Sequence, residues 1–265
     1  RKKFGETTEL GKRLTEIGDP PSDVVIPLEA IIDREPVTVV CSKKGWIRAA
    51  RGHLQDFSEV RYKEGDGERF VFHAETTDKL LVFGTNGRFY AVGVDKLPGG
   101  RGFGEPLRLM FDMPSDHDIA ALQIFKPERK LLVASSDGRG FVVAEKEVFA
   151  QTRAGKQVLN VSGSNEAKVC VPAEGDTVAV IGENRKLIIF DAGELPEMTR
   201  GRGVILQRYK DAGLSDVVVF NKADGLQWRS GERTRTETQL RDWVGKRAQA
   251  GRLPPKGFPR NNRFS

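Results

Sequence analysis

The chain has 265 residues, 43 of them basic and 37 acidic, for a formal charge of +6 and a pI near 9.3. Its 38% apolar and 8% aromatic content, with 29 glycines and 13 prolines, suits many short strands and turns and argues against long helices; no apolar run approaches the roughly eighteen residues of a helical membrane span. Cys41 and Cys170 form no CxxC pair and do not cluster with His53, His73 or His117, which argues against a disulfide framework and a zinc site and fits free thiols in a reducing cytoplasm.

In chain order, residues 1–34 are charged and broken by Pro20-Pro21, where backbone hydrogen bonding of a helix must stop. They read as a connector from a missing upstream segment, because the chain opens on Arg1 without a methionine. From Glu35 a repeat takes over. Five apolar hairpins start near Val37, Leu80, Leu131, Val178 and Val217, with turns at Gly45, Gly87, Gly138, Arg185 and Gly225. Those turns stand 40 to 51 residues apart, the period of a propeller-like array. One hairpin is too small to cover its own apolar face, so stacking neighbours radially into an all-β disc is the expected solution. The repeat spans residues 35–258 and leaves 259–265 as a tail. The fourth turn departs from the pattern by placing Arg185 where the others have glycine.

A basic, glycine-broken loop follows each hairpin: Ala50-Arg51-Gly52-His53, Gly99-Gly100-Arg101-Gly102, Thr152 to Lys156, Thr199 to Gly203, and Gly245-Lys246-Arg247 through Gly251-Arg252. Glycine lets a backbone N–H approach a phosphate, and arginine supplies two parallel donors to its oxygens. One Gly-Arg pair alone is ordinarily a solvated turn. Five at matching repeat positions are expected to form an interrupted cationic belt that fixes a polyanion without reading bases. From Leu226 onward ten Lys and Arg face only Glu232, Glu237 and Asp242, so the positive excess is concentrated there.

Catalytic readings fare poorly. Gly100 to Gly104 lacks the full GxGxxG and its strand-to-helix context, and no GxxxxGK[ST] loop exists. Asp116-His117-Asp118 beside Pro114 reads as a surface turn, and Trp46, Trp228 and Trp243 read as core.

The stretch Glu35 to His53, EPVTVVCSKKGWIRAARGH, closely resembles the first blade of the C-terminal domain of the A subunit of bacterial topoisomerase IV. The likeness continues through LPGGRGFGEPL, DGRGFVV, TRAGK and ELPEMTRGRG. It implies a five-bladed β-pinwheel, a disc of four-stranded antiparallel blades that exchange strands with their neighbours. It implies also that the disc binds and bends duplex DNA along its rim. Arg48, Arg51, His53, Arg101, Arg153, Lys156, Arg200, Arg202, Lys246, Arg247 and Arg252 are then the expected contacts. The family's DNA-cleaving core, ATP and Mg2+ belong to the parent enzyme, which pairs two A with two B subunits in the cytoplasm; this piece is expected to be inert alone. The sister gyrase A domain carries a Gln-Arg-Arg-Gly-Gly-Lys-Gly box for full DNA wrapping. Its closest remnant here is Gly99 to Gly104, without the glutamine and paired arginines, which favours topoisomerase IV over gyrase.

Overall fold

The structure, a computed structural model, describes residues 33–99, 102–231 and 233–265; all but the end of the expected connector lies outside them, as do Gly100 and Arg101. Val37 to Cys41, rich in β-branched side chains, forms β1 (Pro36–Ser42), buried on both faces. Gly45, at φ +77°, turns the chain into β2 (Trp46–Arg51). The chain then crosses to the other edge of β1 as β3 (Glu68–Glu75), so β1 is paired on both sides.

This hairpin-plus-third-strand unit recurs. It is built next from β4 (Lys79–Gly84), β5 (Arg88–Gly93) and β7 (Ile119–Ile124). The third unit uses β8 (Lys130–Ser135), β9 (Arg139–Ala144) and β11 (Ala167–Pro172). The fourth uses β12 (Thr177–Gly182), β13 (Leu187–Asp191) and β15 (Leu214–Phe220). Each unit takes its last strand from chain that has already passed through the next hairpin: β6 (Glu105–Pro106) returns to β2, β10 (Lys156–Gln157) to β5, and β14 (Val204–Ile205) to β9. In the fourth unit the return shrinks to one bridge, Arg252 to Leu187. Three sheets therefore have four strands, the fourth has three, and a fifth, β16 (Leu226–Ser230) with β17 (Arg233–Glu237), has two. The fold is all-β and almost wholly antiparallel.

Two sequence expectations change. Val217 to Phe220 does not open a fifth hairpin; it pairs with β12 as the third strand of the fourth sheet. The fifth hairpin is Leu226–Glu237 and turns at Gly231, φ +65°. The last residues are also no loose tail. Phe258 and Phe264 are buried against Trp228, and Arg229 N–H donates to Phe264 O, so the end of the chain lies along the free edge of β16.

The core is divided among the gaps between hairpins. Val39, Cys41 and Ile47 meet Leu80, Val82 and Tyr90; Leu81, Phe83 and Phe89 meet Leu131, Val133 and Phe141. Leu132 and Ala134 meet Val178, Val180, Ile188 and Phe190; Ala179, Ile181, Leu187 and Ile189 meet Leu226 and Trp228. Among the described residues no such cluster joins the fifth hairpin to the first.

Candidate nucleic-acid interface

Four of the five expected basic loops share one construction. Each returning segment meets the second strand of the preceding hairpin and crosses it at a glycine of positive φ: Gly104 (+86°), Gly155 (+66°), Gly203 (+72°) and Gly251 (+77°). A Cβ at these positions would overlap the carbonyl oxygens of Ile47, Phe89, Gly140 and Leu187 respectively. Those four residues hold one register position, paired with Cys41, Phe83, Ala134 and Ile181. Before the glycine three of the loops run parallel to the strand, through Ala49–Gly99, Val142–Glu197 and Ile189–Val244. The glycines thus serve close approach of loop to strand, a use that the sequence alone does not separate from close approach to phosphate. The segment Ala50 to His53 differs, since it ends β2 and makes no such return.

The expected contacts divide by what their side chains already hold. Lys156, Arg202, Lys246 and Arg252 are exposed, and none has an ion pair or side-chain hydrogen bond among the described residues. Arg200 is exposed and among the described residues meets only the neutral Asn160 Oδ1, at 3.4 Å. Arg51 is 90% exposed, 3.9 Å from Glu35, a distance that leaves the pair little energy in water. Together they supply a cation at three of the four return loops and at the end of β2.

The others are engaged. Arg153 donates to Leu109 O at 2.8 Å and lies 3.5 Å from Asp112, which partly neutralises it. Arg48 holds the second loop through Gly102 O and also donates to Arg61 O at 3.2 Å. Arg247 turns inward to Ile205 O at 2.6 Å, its Nε buried without a partner. His53 stacks on His73 with ring centres 4.4 Å apart and bonds Ala74 O at 3.1 Å. Arg101 lies outside the described residues. Sequence reasoning missed Arg88, which fixes the third loop through Ala154 O at 2.7 Å; its place beside the turn glycine, as in Arg139 of the third hairpin, was the available signal.

Asp116-His117-Asp118 is a tie between units: His117 Nδ1 lies 3.2 Å from Thr85 Oγ1, and Asp118 pairs with Arg69 of β3 at 2.8 Å. Both cysteines are free and buried, and desolvation pushes the Cys41 thiol up to about 12 and Cys170 higher still, so neither is a nucleophile at neutral pH. Among the described residues no three His, Cys, Asp or Glu side chains converge as metal ligands, and no helix is long and apolar enough to cross a membrane.

Comparison with known proteins agrees with this geometry. The family model of the DNA gyrase C-terminal domain, beta-propeller, matches residues 129–165 and 176–220. The DNA topoisomerase 4 A subunit of Rickettsia bellii is 46% identical over 99% of this chain, and that of Caulobacter vibrioides 49% over 92%. The chain spans about a third of their lengths, 36% and 32%. The solved E. coli ParC C-terminal domain aligns over 85% of this chain and 96% of its own, with a TM-score of 0.72 and 27% identity. An array of strand-exchanging hairpins, matched along nearly its whole length by these proteins, places the chain in the family of C-terminal domains of topoisomerase IV A subunits, within the gyrase A-like class.

Proposed function

We propose that this chain is a DNA-binding and DNA-bending module, non-catalytic by itself, in a topoisomerase IV A subunit. It presents the transported duplex to an ATP-dependent strand-passage core for decatenation and supercoil relaxation. The carrying observation is the repeated return loop: one glycine clamp, at one register of four successive sheets, beside exposed cations free of carboxylates at Lys156, Arg202, Lys246 and Arg252. Loops held this way on strands keep their cations at fixed spacing, so several phosphates are met at once with little ordering cost. Bending a 20–30 bp duplex costs on the order of 1–6 kcal/mol, which several simultaneous ion contacts offset. The return of each loop to the preceding hairpin is also the strand exchange that defines a five-bladed pinwheel, with the fifth blade reduced to a hairpin closed by the tail.

The ATP and Mg2+ of the parent enzyme do not fit here: the described residues offer no convergent carboxylates, and the sequence has no glycine-rich phosphate loop followed by Lys. They belong with the cleavage core and the B subunit, which this chain would join through the rest of its own polypeptide, in the cytoplasm.

Salt-dependent duplex binding tests the proposal. Contacts from Lys156, Arg200, Arg202, Lys246 and Arg252 give an expected log–log slope of about −4 to −5. Reversing Arg202 and Arg252 to Glu should flatten it by about 2 and leave the melting temperature unchanged. Binding that is indifferent to salt, or to these reversals, would sink it.

A further inference from the structure

In the first four hairpins the second strand never keeps its outer edge open: returning chain covers β2, β5, β9 and β13. The fifth hairpin breaks this series. The chain's end occupies the free edge of β16, where a third strand sits in the other units, and β17 has no partner on its outer side among the described residues. Arg229 directs its N–H away from β17, onto Phe264 O, which makes Arg229–Thr234, and by the alternation of an antiparallel pair Gln227–Thr236, non-hydrogen-bonded pairs. By the same alternation the backbone groups of Thr234 and Thr236 point out from the open edge. These two correspond to Leu187 and Ile189, whose N–H groups donate to Arg252 O at 2.7 Å and Trp243 O at 2.9 Å.

We propose that this edge is a strand-addition site for an extended, acidic segment of a partner protein, filling the fifth position of the exchange series. Charge selects the occupant. Arg233 and Arg235 alternate with Thr234 and Thr236 along β17, Arg229 stands across from Thr234 on β16, and Arg241 lines the path beyond the strand; all four are exposed and none is in an ion pair among the described residues, the Arg235 guanidinium lying against Gly257. The strand runs into an open groove of about 850 Å³ lined by Lys222, Gln239, Leu240, Arg241 and the 46% exposed Val244, with Asp242 its one acidic side chain, which continues the path with a small apolar floor. Backbone pairing supplies affinity in such additions, and alternate side chains supply selectivity. The proposal does not depend on DNA binding by the return loops.

The test uses the isotope-labelled 265-residue chain and the peptide acetyl-Glu-Val-Asp-Gly-Glu-Val-Asp-Val-Glu-amide, following amide exchange residue by residue. The peptide should slow exchange at Thr234 and Thr236 at least about tenfold, and Arg233→Glu with Arg235→Glu should weaken its binding by about tenfold. A version N-methylated at its valines, and one with lysine for every acid, should both leave those amides unprotected. Four results would overturn the proposal. The N-methylated peptide binding equally well would mean charge attraction only, and the lysine version protecting equally would remove the acidic preference. Protection by none of the peptides would mean that the arginines merely guard the edge. Protection by a short DNA duplex in place of the peptides would assign the edge to nucleic acid. An unchanged near-ultraviolet signal from Trp228 in the double variant keeps these outcomes separate from misfolding.

Discussion

At the scale of single residues, backbone conformation decides more than side-chain charge. Gly203 needs a positive φ and has no room for a Cβ beneath Gly140 O. Gly203→Ala should therefore destabilise the protein by about 2–4 kcal/mol in denaturant titration, whereas alanine for glycine at an ordinary mid-strand position stabilises by roughly 0.5–1 kcal/mol. Arg185 shows the opposite resolution of the same constraint. It adopts φ +59° where the other hairpins use glycine, and its guanidinium donates to Pro259 O at 2.9 Å, Asn262 Oδ1 at 3.1 Å and Phe258 O at 3.3 Å. Three hydrogen bonds at about 1 kcal/mol each outweigh roughly 1–2 kcal/mol of left-handed strain. Two substitutions separate these terms. Arg185→Ala keeps the strain and loses the bonds, whereas Arg185→Gly loses the bonds and relieves the strain. The alanine variant should be the less stable by about 1 kcal/mol; equal stabilities would show that the turn is unstrained. The exception was visible in the sequence, but its reason was not, because the acceptors lie more than seventy residues away.

Among the elements, the fifth hairpin and the chain's end form one unit. Positions that face the next hairpin are Ala179, Ile181, Leu187 and Ile189 in the fourth unit but Gln227, Arg229, Thr234 and Thr236 in the fifth, a polar outer face of the kind that terminates repeat arrays. The end of the chain then supplies Phe258 and Phe264 to the inner side. Phe258→Ala should cost about 3 kcal/mol and should red-shift the emission of the buried Trp228. Asp216 makes this closure sensitive to pH. It accepts from Phe264 N–H and Val217 N–H, each at 2.9 Å, and burial raises its carboxyl above the ordinary range. The folded state therefore binds the proton more tightly than the unfolded chain does. Its contribution to stability is full below the ordinary carboxylate range and is lost as pH rises through the elevated one. Asp216→Asn should flatten that decline in a melting series across acidic pH; an unaltered profile would place the titration elsewhere. The first three hairpins were legible because turn glycines sit between apolar runs, and the fourth because its two apolar runs keep the same spacing around Arg185. The fifth was misassigned because Val217 to Phe220 has the apolar run of a first strand, while the alternation in Leu226 to Ser230, the mark of a one-sided strand, is the true start. Two-residue returns such as Val204-Ile205 are too short to carry a period, so the exchange rested on family resemblance alone.

Across the whole array the four apolar clusters are joined in series, each shared by two neighbouring hairpins. The cationic sites follow the same order. Sequence periodicity showed that order but could not show which arginines were already spent on carbonyls, since Arg48 and Arg202 look alike in composition and differ only in what lies within reach. A series of this kind transmits damage by position. Phe258→Ala weakens the last cluster, so faster amide exchange should be confined to the fifth hairpin and its contacts on β12 and β13, with β1 unaffected. Leu132→Ala acts differently. Leu132 is fully buried in the third gap, on a strand whose other face, through Leu131 and Val133, lines the second. Its truncation should cost about 2–5 kcal/mol and speed exchange in the sheets on both sides of β8. If both substitutions accelerated exchange equally along the entire chain, the sheets would be one cooperative block rather than a series of separately weakened gaps.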